Sequence, residues 1–297
     1  MLAGAVLLAG CAHTLTVGPH DAYRLPSDAA AAARAGDTIL IAGGDYSDCA
    51  VWKADDLTIV AQGPVTIDGP VCGGKGLFVI QGRDTMVRGI TFAHARSADG
   101  NGAGIRMEGR GLTVEDSAFL GNEDGILATV SGGEITVRKS RFEGNGTCAN
   151  KGGCAHGIYI TQADVVRIED SVFRGQREGH HIKSRARRTE VTGNIIEDGS
   201  DGTASYLVDV PDGGTLVMRN NTLRKGVHAG DRRCAVPIGE ESLRNPTKEI
   251  IADHNRFTND LPFPVIFLCN ETSTVPQLND NEFSGQVVPT GVPRKQN

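Results

Sequence analysis

The sequence predicts an all-β protein, built as a single-stranded parallel β-helix with a short N-terminal capping helix. Two observations lead to this fold class: an unusual composition and a short phrase that recurs about every 27 residues. Glycine supplies 39 of the 297 residues, roughly twice the usual share, whereas aromatic residues make up only 5%. This composition favours short strands joined by tight turns, and it excludes a helical bundle.

The recurring phrase is an aliphatic residue, two polar or small residues, Ser or Asn, any residue, and then Phe, Ile or Leu. Six clear copies end at Phe119, Phe142, Phe173, Ile196, Leu223 and Phe283, and looser copies cover 87–92 and 252–257. Short strands at this spacing cannot each bury a face alone, but stacked coils cover one another. A β-propeller needs longer repeats of roughly 40 to 50 residues, and the signature of leucine-rich repeats is absent. A parallel β-helix fits the spacing.

The Ser or Asn of the phrase has the same phase in every copy. We expect these side chains to form an internal ladder, each satisfying turn backbone in a neighbouring coil. The positions are Ser117, Ser140, Ser171, Asn194, Asn221, Asn255 and Asn281. We assign them a structural role and no chemistry.

The ends of the solenoid need caps. Ser27 followed by Ala29–Ala33 predicts a short helix with a serine N-cap, ahead of a first strand at Gly36–Ile41. No shift in composition divides the repeats, so we expect one β-helix domain over 24–288 and a loose C-terminal tail over 289–297.

Residues 1–11 form an apolar segment whose end, Leu8-Ala9-Gly10-Cys11, resembles a bacterial lipobox. This interpretation predicts an exported protein, in the periplasm, at the outer membrane through a lipid anchor on Cys11, or secreted. No Lys or Arg precedes the apolar run, unlike in most signal peptides. A buried N-terminal strand is the alternative.

Six cysteines remain once Cys11 is set aside, an even number that suits an oxidising compartment. We predict three disulfides, Cys49–Cys72, Cys148–Cys154 and Cys234–Cys269, because the first and last pairs are about one coil apart and the middle pair closes a local loop. No Cys-x-x-Cys pair or Cys/His cluster has the spacing of zinc ligands, so we expect no structural metal.

The charge balance is acidic, with 30 basic and 36 acidic residues and a net charge of −6. Nucleic-acid binding needs a positive field, and this balance argues against it. We expect a monomer.

Taken together, residues from Leu25 to about Gly285 resemble the right-handed parallel β-helix proteins of the pectate-lyase-like superfamily. The more distinctive phrases are Gly179-His-His-Ile-Lys-Ser-Arg-Ala186 and the run over 204–214, which are similar to those of a group of exported bacterial β-helix proteins. The superfamily contains pectate, alginate and chondroitin lyases, pectin esterases and polygalacturonases, but also non-catalytic tailspikes and adhesins. The resemblance therefore implies the fold and leaves the function open.

Alternation along the strand around Ile182 predicts an outward-facing site. If Ile182 points inward, then His181, Lys183 and Arg185 point outward together. Three potential cations on one strand repel each other unless a bound anion or acidic neighbours compensate their charge. One coil earlier, Tyr159 would lie beside Lys183, with His156 at the preceding turn. Further back, we expect Arg106 and Asn101 to form outer subsites.

The next coil offers two registers, and a one-residue slip decides whether Asp209 is outward or buried. We favour Asp209 outward, where its carboxylate would relieve the repulsion between Lys183 and Arg185. Tyr206 and His180 complete the predicted substrate-binding residues.

This arrangement suits β-elimination on a uronic-acid polysaccharide. We expect Arg185 to neutralise the substrate carboxylate and Lys183, with a lowered pKa, to act as base. Tyr159 would be the acid, and His181 or His180 the alternative base. The partner would be an anionic polysaccharide, with no cofactor except for a weak calcium alternative at Asp99, Glu123 and Asp124.

Other interpretations remain open. A basic face can bind anionic glycans without cutting them, or serve a structural role in the cell envelope. A hydrolase or epimerase is a third class, although the Asp motifs of polygalacturonases are missing. Glu240 and Glu241 lie in the longest stretch between coils, which either overhangs the site or, as we favour, forms an exposed acidic loop.

Overall fold

A computed structural model describes residues 12–129, 132–149 and 152–292. The segment 1–11, with the predicted lipobox at Cys11, lies outside the described residues. No described helix is both long and apolar enough to cross a membrane.

The described chain is built almost entirely from short strands. The first part contains β1 Thr14–Val17, α1 Pro26–Ala32, β2 Thr38–Tyr46, β3 Ala50–Trp52, β4 Thr58–Ile67, β5 Gly76–Ile80, β6 Arg83–Ala93, β7 Ala103–Met107, β8 Arg110–Glu115, β9 Ala118–Leu120 and β10 Asp124–Ala128. The middle contains β11 Glu134–Arg138, β12 Arg141–Glu143, β13 Ile158–Ile160, β14 Val165–Glu169, β15 Val172–Arg174, β16 His180–Ser184, β17 Arg188–Thr192, β18 Ile195–Glu197 and β19 Tyr206–Asp209. The last part contains β20 Thr215–Arg219, β21 Thr222–Lys225, β22 Cys234–Ile238, β23 Ile250–Asp253, β24 Arg256–Asn259, β25 Val265–Asn270, β26 Gln277–Asn279, β27 Glu282–Ser284 and β28 Val287–Gly291.

The strands stack in parallel on three faces of a coil. One face runs from β1 and β2 through β8, β11, β14, β17 and β20 to β26, and the second from β9 through β12, β15 and β18 to β27. The third face holds β3, β5, β7, β10, β13, β16 and β19, and a bridge from Val210 to Ile238 continues it into β22, β25 and β28. The predicted right-handed parallel β-helix is confirmed.

Aromatic rings at the end of the repeated phrase pack inside the solenoid. Phe92, Phe119, Phe142 and Phe173 stack in order, with ring centroids 5.2, 4.6 and 4.6 Å apart. All four are buried. In each coil the same sequence position therefore lies over its counterpart in the next, which fixes the register from coil to coil.

The predicted ladder of Ser and Asn side chains is confirmed. The backbone N–H of Ser117 donates to Ser140 Oγ at 3.2 Å, and that of Ser140 donates to Ser171 Oγ at 3.0 Å. The ladder continues from Ser171 into the asparagines, with Asn194 N donating to Asn221 Oδ1 at 2.9 Å. Each side chain satisfies a buried N–H of the preceding coil.

Both ends differ in detail from the prediction. The helix α1 forms, but it begins at Pro26 with Leu25 as N-cap, and the Asp28 carboxylate accepts the Leu25 N–H at 3.2 Å. The predicted serine N-cap is therefore wrong. Proline suits the first helical position, and the Asp28 carboxylate accepts the backbone N–H of the N-cap residue, Leu25. Strand β1 precedes the expected first strand and pairs with β2. Residues 289–291, expected in a loose tail, belong to β28, which pairs with β25 at the edge of the sheet.

The three predicted disulfides are present. Cys49–Cys72 and Cys234–Cys269 join positions 23 and 35 residues apart, and Cys148–Cys154 closes a loop of the middle coils. Bonds of this kind are typical of exported proteins.

We predict that Asn221→Ala lowers the free energy of unfolding by about 2–4 kcal/mol, because it orphans the buried Asn194 N–H and Val191 C=O. Asn221→Ser should cost less, since serine serves the same position in earlier coils. Urea denaturation measures both variants. Asn279→Ala, at an exposed position, is the matched control, and equal stability of it and Asn221→Ala would contradict the ladder's energetic role.

Candidate functional site

The outer side of the third face brings Tyr159, Lys183 and Asp209 into one column. The register pairs Tyr159 with Lys183 and Lys183 with Asp209. Lys183 Nζ lies 3.2 Å from an Asp209 carboxylate oxygen. Asp209 thus takes the outward register that the charge argument favoured, although its side chain is fully covered.

Glu241 covers this column from the segment between β22 and β23. Its carboxylate accepts from Lys183 Nζ at 2.7 Å and from Arg185 Nη2 at 2.5 Å. Arg185 also donates to Asp212 at 2.7 Å and to the Tyr159 hydroxyl oxygen at 3.2 Å. The acidic segment overhangs the site instead of forming a free loop, because the Lys183 and Arg185 cations attract its carboxylate. We call Lys183, Arg185, Asp209, Asp212 and Glu241 the ion cluster.

The expected lowering of the Lys183 pKa is wrong. Burial and the nearby Arg185 do oppose its charge, but Asp209 and Glu241 outweigh them and raise the Lys183 pKa above its usual value. In contrast to its effect on the lysine, burial raises the pKa of Asp209, to about 7, although the nearby Lys183 charge acts to lower it. The lysine is therefore held protonated within the ion cluster.

Three stacked rings adjoin the ion cluster. His180 lies between His156 and Tyr206, with ring centroids 4.7 and 4.8 Å apart, and its backbone N–H donates to His156 Nδ1 at 2.9 Å. Burial, reinforced by neighbouring cations, lowers the pKa of both histidines well below the usual value. Asp209, 3.4 Å from His180 Nε2, does not reverse this direction. Both imidazoles are neutral at pH 7.

His181 does not share the outward face, contrary to the expectation. It is 1% exposed, and its Nε2 lies 2.9 Å from a buried Asp198 carboxylate oxygen. Earlier coils carry Gly125 and Gly157 at this position, and a Cβ on Gly125 would meet the core ring of Phe142 at 2.8 Å. Strict alternation fails here because the strand bends at its start, so that His181 and Ile182 both face inward and His180 faces outward.

Arg106 and Asn101 lie apart from the ion cluster. Arg106 pairs in register with Val79 and Leu127, so that apolar Leu127 separates it from Tyr159. Asn101 belongs to the 97–102 loop, where its N–H and Oδ1 contact the Ser97 hydroxyl at 3.1 Å.

The suggested calcium ligands are used by the backbone. Glu123 accepts N–H groups of Ser97 and Gly102, and Asp124 accepts the His156 N–H. Among the described residues, Asp99, Glu123 and Asp124 do not converge as a group of potential metal ligands.

Sequence reasoning missed an open groove of about 580 Å³ beside the ring stack. Turns of several successive coils line it, and its polar side chains include Arg96, Arg177, Glu123, Glu178, Thr203 and Ser205. We call it the arginine groove. Arg96 donates to the Ala95 carbonyl and Arg177 to the Gly121 carbonyl, but neither pairs with a carboxylate within the described chain. Burial, helped by the charge of Arg96, lowers the Arg177 pKa. These residues lie in turns outside the repeated phrase, so no spacing signal marked them.

The neutral state of His180 predicts a pH-dependent stability. The pKa of His180 in the folded protein lies below its value in the unfolded chain. The contribution of His180 to the free energy of unfolding is therefore fully present above about pH 6.5 and is lost as the pH falls. His180→Phe preserves the ring stack and removes the titration. Wild type should therefore lose up to about 1.4 kcal/mol per pH unit relative to the variant below pH 6.5. Parallel denaturation curves from pH 7 to 5 measure this, and a constant difference would contradict it.

Comparison with known proteins places the chain in a family. No curated protein matches the sequence. Among solved structures, an alginate lyase from Paenibacillus sp. str. FPU-7 is 17% identical with a TM-score of 0.58, covering 93% of this chain and 99% of its own. Pectin methylesterase PemA from Erwinia chrysanthemi is 12% identical with a TM-score of 0.46, covering 73% and 80%. The first likeness supports the fold alone. The family model described as periplasmic copper-binding protein (NosD) matches residues 52–209, more than half of the sequence, and the chain therefore belongs to the NosD family.

Proposed function

We propose that the protein is an exported β-helix that binds an anionic, uronic-acid-containing polysaccharide in the arginine groove. The observation that carries this proposal is the pair of guanidinium groups, Arg96 and Arg177, which face the groove without a carboxylate partner in the described chain. Glu123 and Glu178 also line the groove, but their carboxylates accept backbone N–H groups of Ser97, Gly102 and Cys148. The two guanidinium groups therefore stay available to a ligand with carboxylates, which arginine binds through two parallel hydrogen bonds.

The rest of the groove suits a sugar chain. Thr147, Thr203 and Ser205 supply hydroxyl groups, and glycines such as Gly230 keep the walls low. The groove crosses turns of successive coils, which are spaced about 4.8 Å apart. A polymer with one negative charge per sugar could therefore contact several coils at once.

The ion cluster is less suited to the first contact with a polymer. Lys183 and Arg185 are already neutralised by Asp209, Asp212 and Glu241. An anionic chain would have to replace these contacts, whereas the arginine groove offers its cations directly.

β-Elimination is a second candidate, and the contact between Arg185 and Tyr159 favours it. Because Arg185 donates to the Tyr159 oxygen, the phenol proton remains available to a leaving oxygen. We assign the base to neutral His180 in place of the protonated Lys183. His180 would take the C5 proton, the C4–O bond would break as the C4=C5 bond forms, and Tyr159 would protonate the leaving oxygen. Arg185 would neutralise the sugar carboxylate, with His156, Tyr206 and Asp209 shaping the site.

Copper, named in the family description, does not fit the described side chains. Apart from Cys11 the cysteines are in disulfides, which removes thiolate ligands. The His156 and His180 rings are stacked with planes 23° apart, so their in-plane lone pairs cannot converge on one ion. The described groups with metal-ligand spacing are Asp253–His254–Asp280 and Asp209–Glu240–Glu241, which offer mainly hard oxygen donors. Copper has no part in the proposal.

Substitution of the groove arginines tests the binding proposal. Arg96→Ala and Arg177→Ala should each weaken binding to polygalacturonate or alginate about tenfold, as expected for the loss of a charge-assisted hydrogen bond. Calorimetric titration at fixed salt measures the affinity. Arg187→Ala removes an exposed arginine outside the groove and should leave binding unchanged. Equal affinities of all three variants and wild type would refute the proposal.

The lyase candidate predicts unsaturated, ultraviolet-absorbing products from a uronic-acid polymer. Tyr159→Phe should reduce their formation at least 100-fold, since general acid catalysis contributes that much. Tyr23→Phe, at a half-buried tyrosine near the N-terminus, is the control and should retain full activity. If wild type forms no such products from a panel of uronate polymers, the lyase candidate is wrong and the proposal is reduced to binding without cleavage.

A further inference from the structure

We infer that Lys183 and Arg185 form a second carboxylate-binding site, which the Glu241 side chain fills as a built-in surrogate for a uronate. This inference deepens the proposed function, because the ligand class is the same, but it concerns a different site from the arginine groove. Its basis is the contrast between two well-covered cations and the exposed carboxylate that bridges them.

The cations are set rigidly by the sheet. Lys183 lies within β16, with 9% of its side chain exposed, and Arg185 follows directly, with 16% exposed. Tyr159 and Asp212 hold the Arg185 guanidinium from two sides. The positions of Nζ and Nη2 are therefore fixed by neighbouring coils, as in a preformed binding site.

The bridging carboxylate is held much less firmly. The Glu241 side chain is 42% exposed, and within the described residues its carboxylate accepts hydrogen bonds from Lys183 and Arg185. Its backbone N–H is tied to the Pro211 carbonyl at 3.0 Å. Glu241 can thus leave the cations by rotating its side chain, while the overhanging segment stays in place.

Rotation of Glu241 takes one negative charge away from Lys183 and Arg185. Lys183, Arg185 and Arg244 are the cations, and Arg244 contacts Asp212. Lys183 then keeps its contact with Asp209, and Arg185 keeps its contact with Asp212. The neighbouring Glu240 carboxyl is directed to the Tyr206 hydroxyl. A single carboxylate, of the kind each uronate sugar carries, can replace the charge of Glu241 and its contacts with Lys183 and Arg185.

Glu241→Gln tests the inference with galacturonate, a single uronate sugar that does not need the length of the groove. The variant keeps the shape of the side chain but removes its charge, and we expect at least tenfold tighter binding of galacturonate than by wild type. Glu249→Gln changes a half-buried glutamate of the same segment, which pairs with Arg188, and should leave the affinity unchanged. Calorimetry measures the affinities, and thermal unfolding verifies that each variant is folded.

Two further variants make the outcome decisive. Adding Arg185→Ala to Glu241→Gln should abolish the gain, because the ligand loses its cation. Glu241→Asp retains the charge on a shorter side chain and should give an intermediate affinity if Glu241→Gln fails to fold. Unchanged galacturonate affinity in the folded Glu241 variants overturns this inference, whereas unchanged polymer affinity in the arginine-groove variants overturns the proposed function. The two failures are therefore distinguishable.

Discussion

The fixed stacking of one coil on the next is the constraint on which the rest of the structure depends. Side chains at the phase of Ser171 and Asn194 satisfy buried backbone N–H groups of the preceding coil, and the phenylalanine rings stack beside them. A shift of one residue would break both sets of contacts at once. Neighbouring strands on the outer surface are consequently held about 4.8 Å apart in a single register. Polar side chains there are positioned by the core beneath them.

This rigidity explains how charged groups can be kept close together outside the solenoid. Lys183 and Asp209 are opposed because their strands pair, and Tyr159 lies beside them for the same reason. Turns are not bound by the same pattern. They vary in length from coil to coil, and in this chain they form the arginine groove and carry Glu241 over the ion cluster. The strands thus fix the site, and the turns decide what can reach it.

Much of the architecture followed from the repeat. The phase of Asn194 and Asn221 predicted the ladder, and the spacing of Cys49 and Cys72 predicted a disulfide between coils. The outward position of Asp209 followed from charge alone. His181 was misplaced because alternation assumes a regular strand, and the bend at the start of β16 turns two successive residues inward. The lowered Lys183 pKa was wrong because Asp209 and Glu241 together outweigh burial, and Glu241 lies 58 residues away in sequence.

The amino-acid order by itself determined the solenoid, because each repeat carries its own apolar, turn and ladder residues and needs only an adjacent copy to complete it. It also determined which face of β13 and β16 carries Tyr159 and Lys183. Tertiary structure alone decided the electrostatics of the two sites. The pairing of Arg185 with Glu241 in the ion cluster, and the positions of Arg96 and Arg177 in the arginine groove, depend on the paths of long turns. Such paths follow from packing between distant segments, which leaves no periodic trace in the chain.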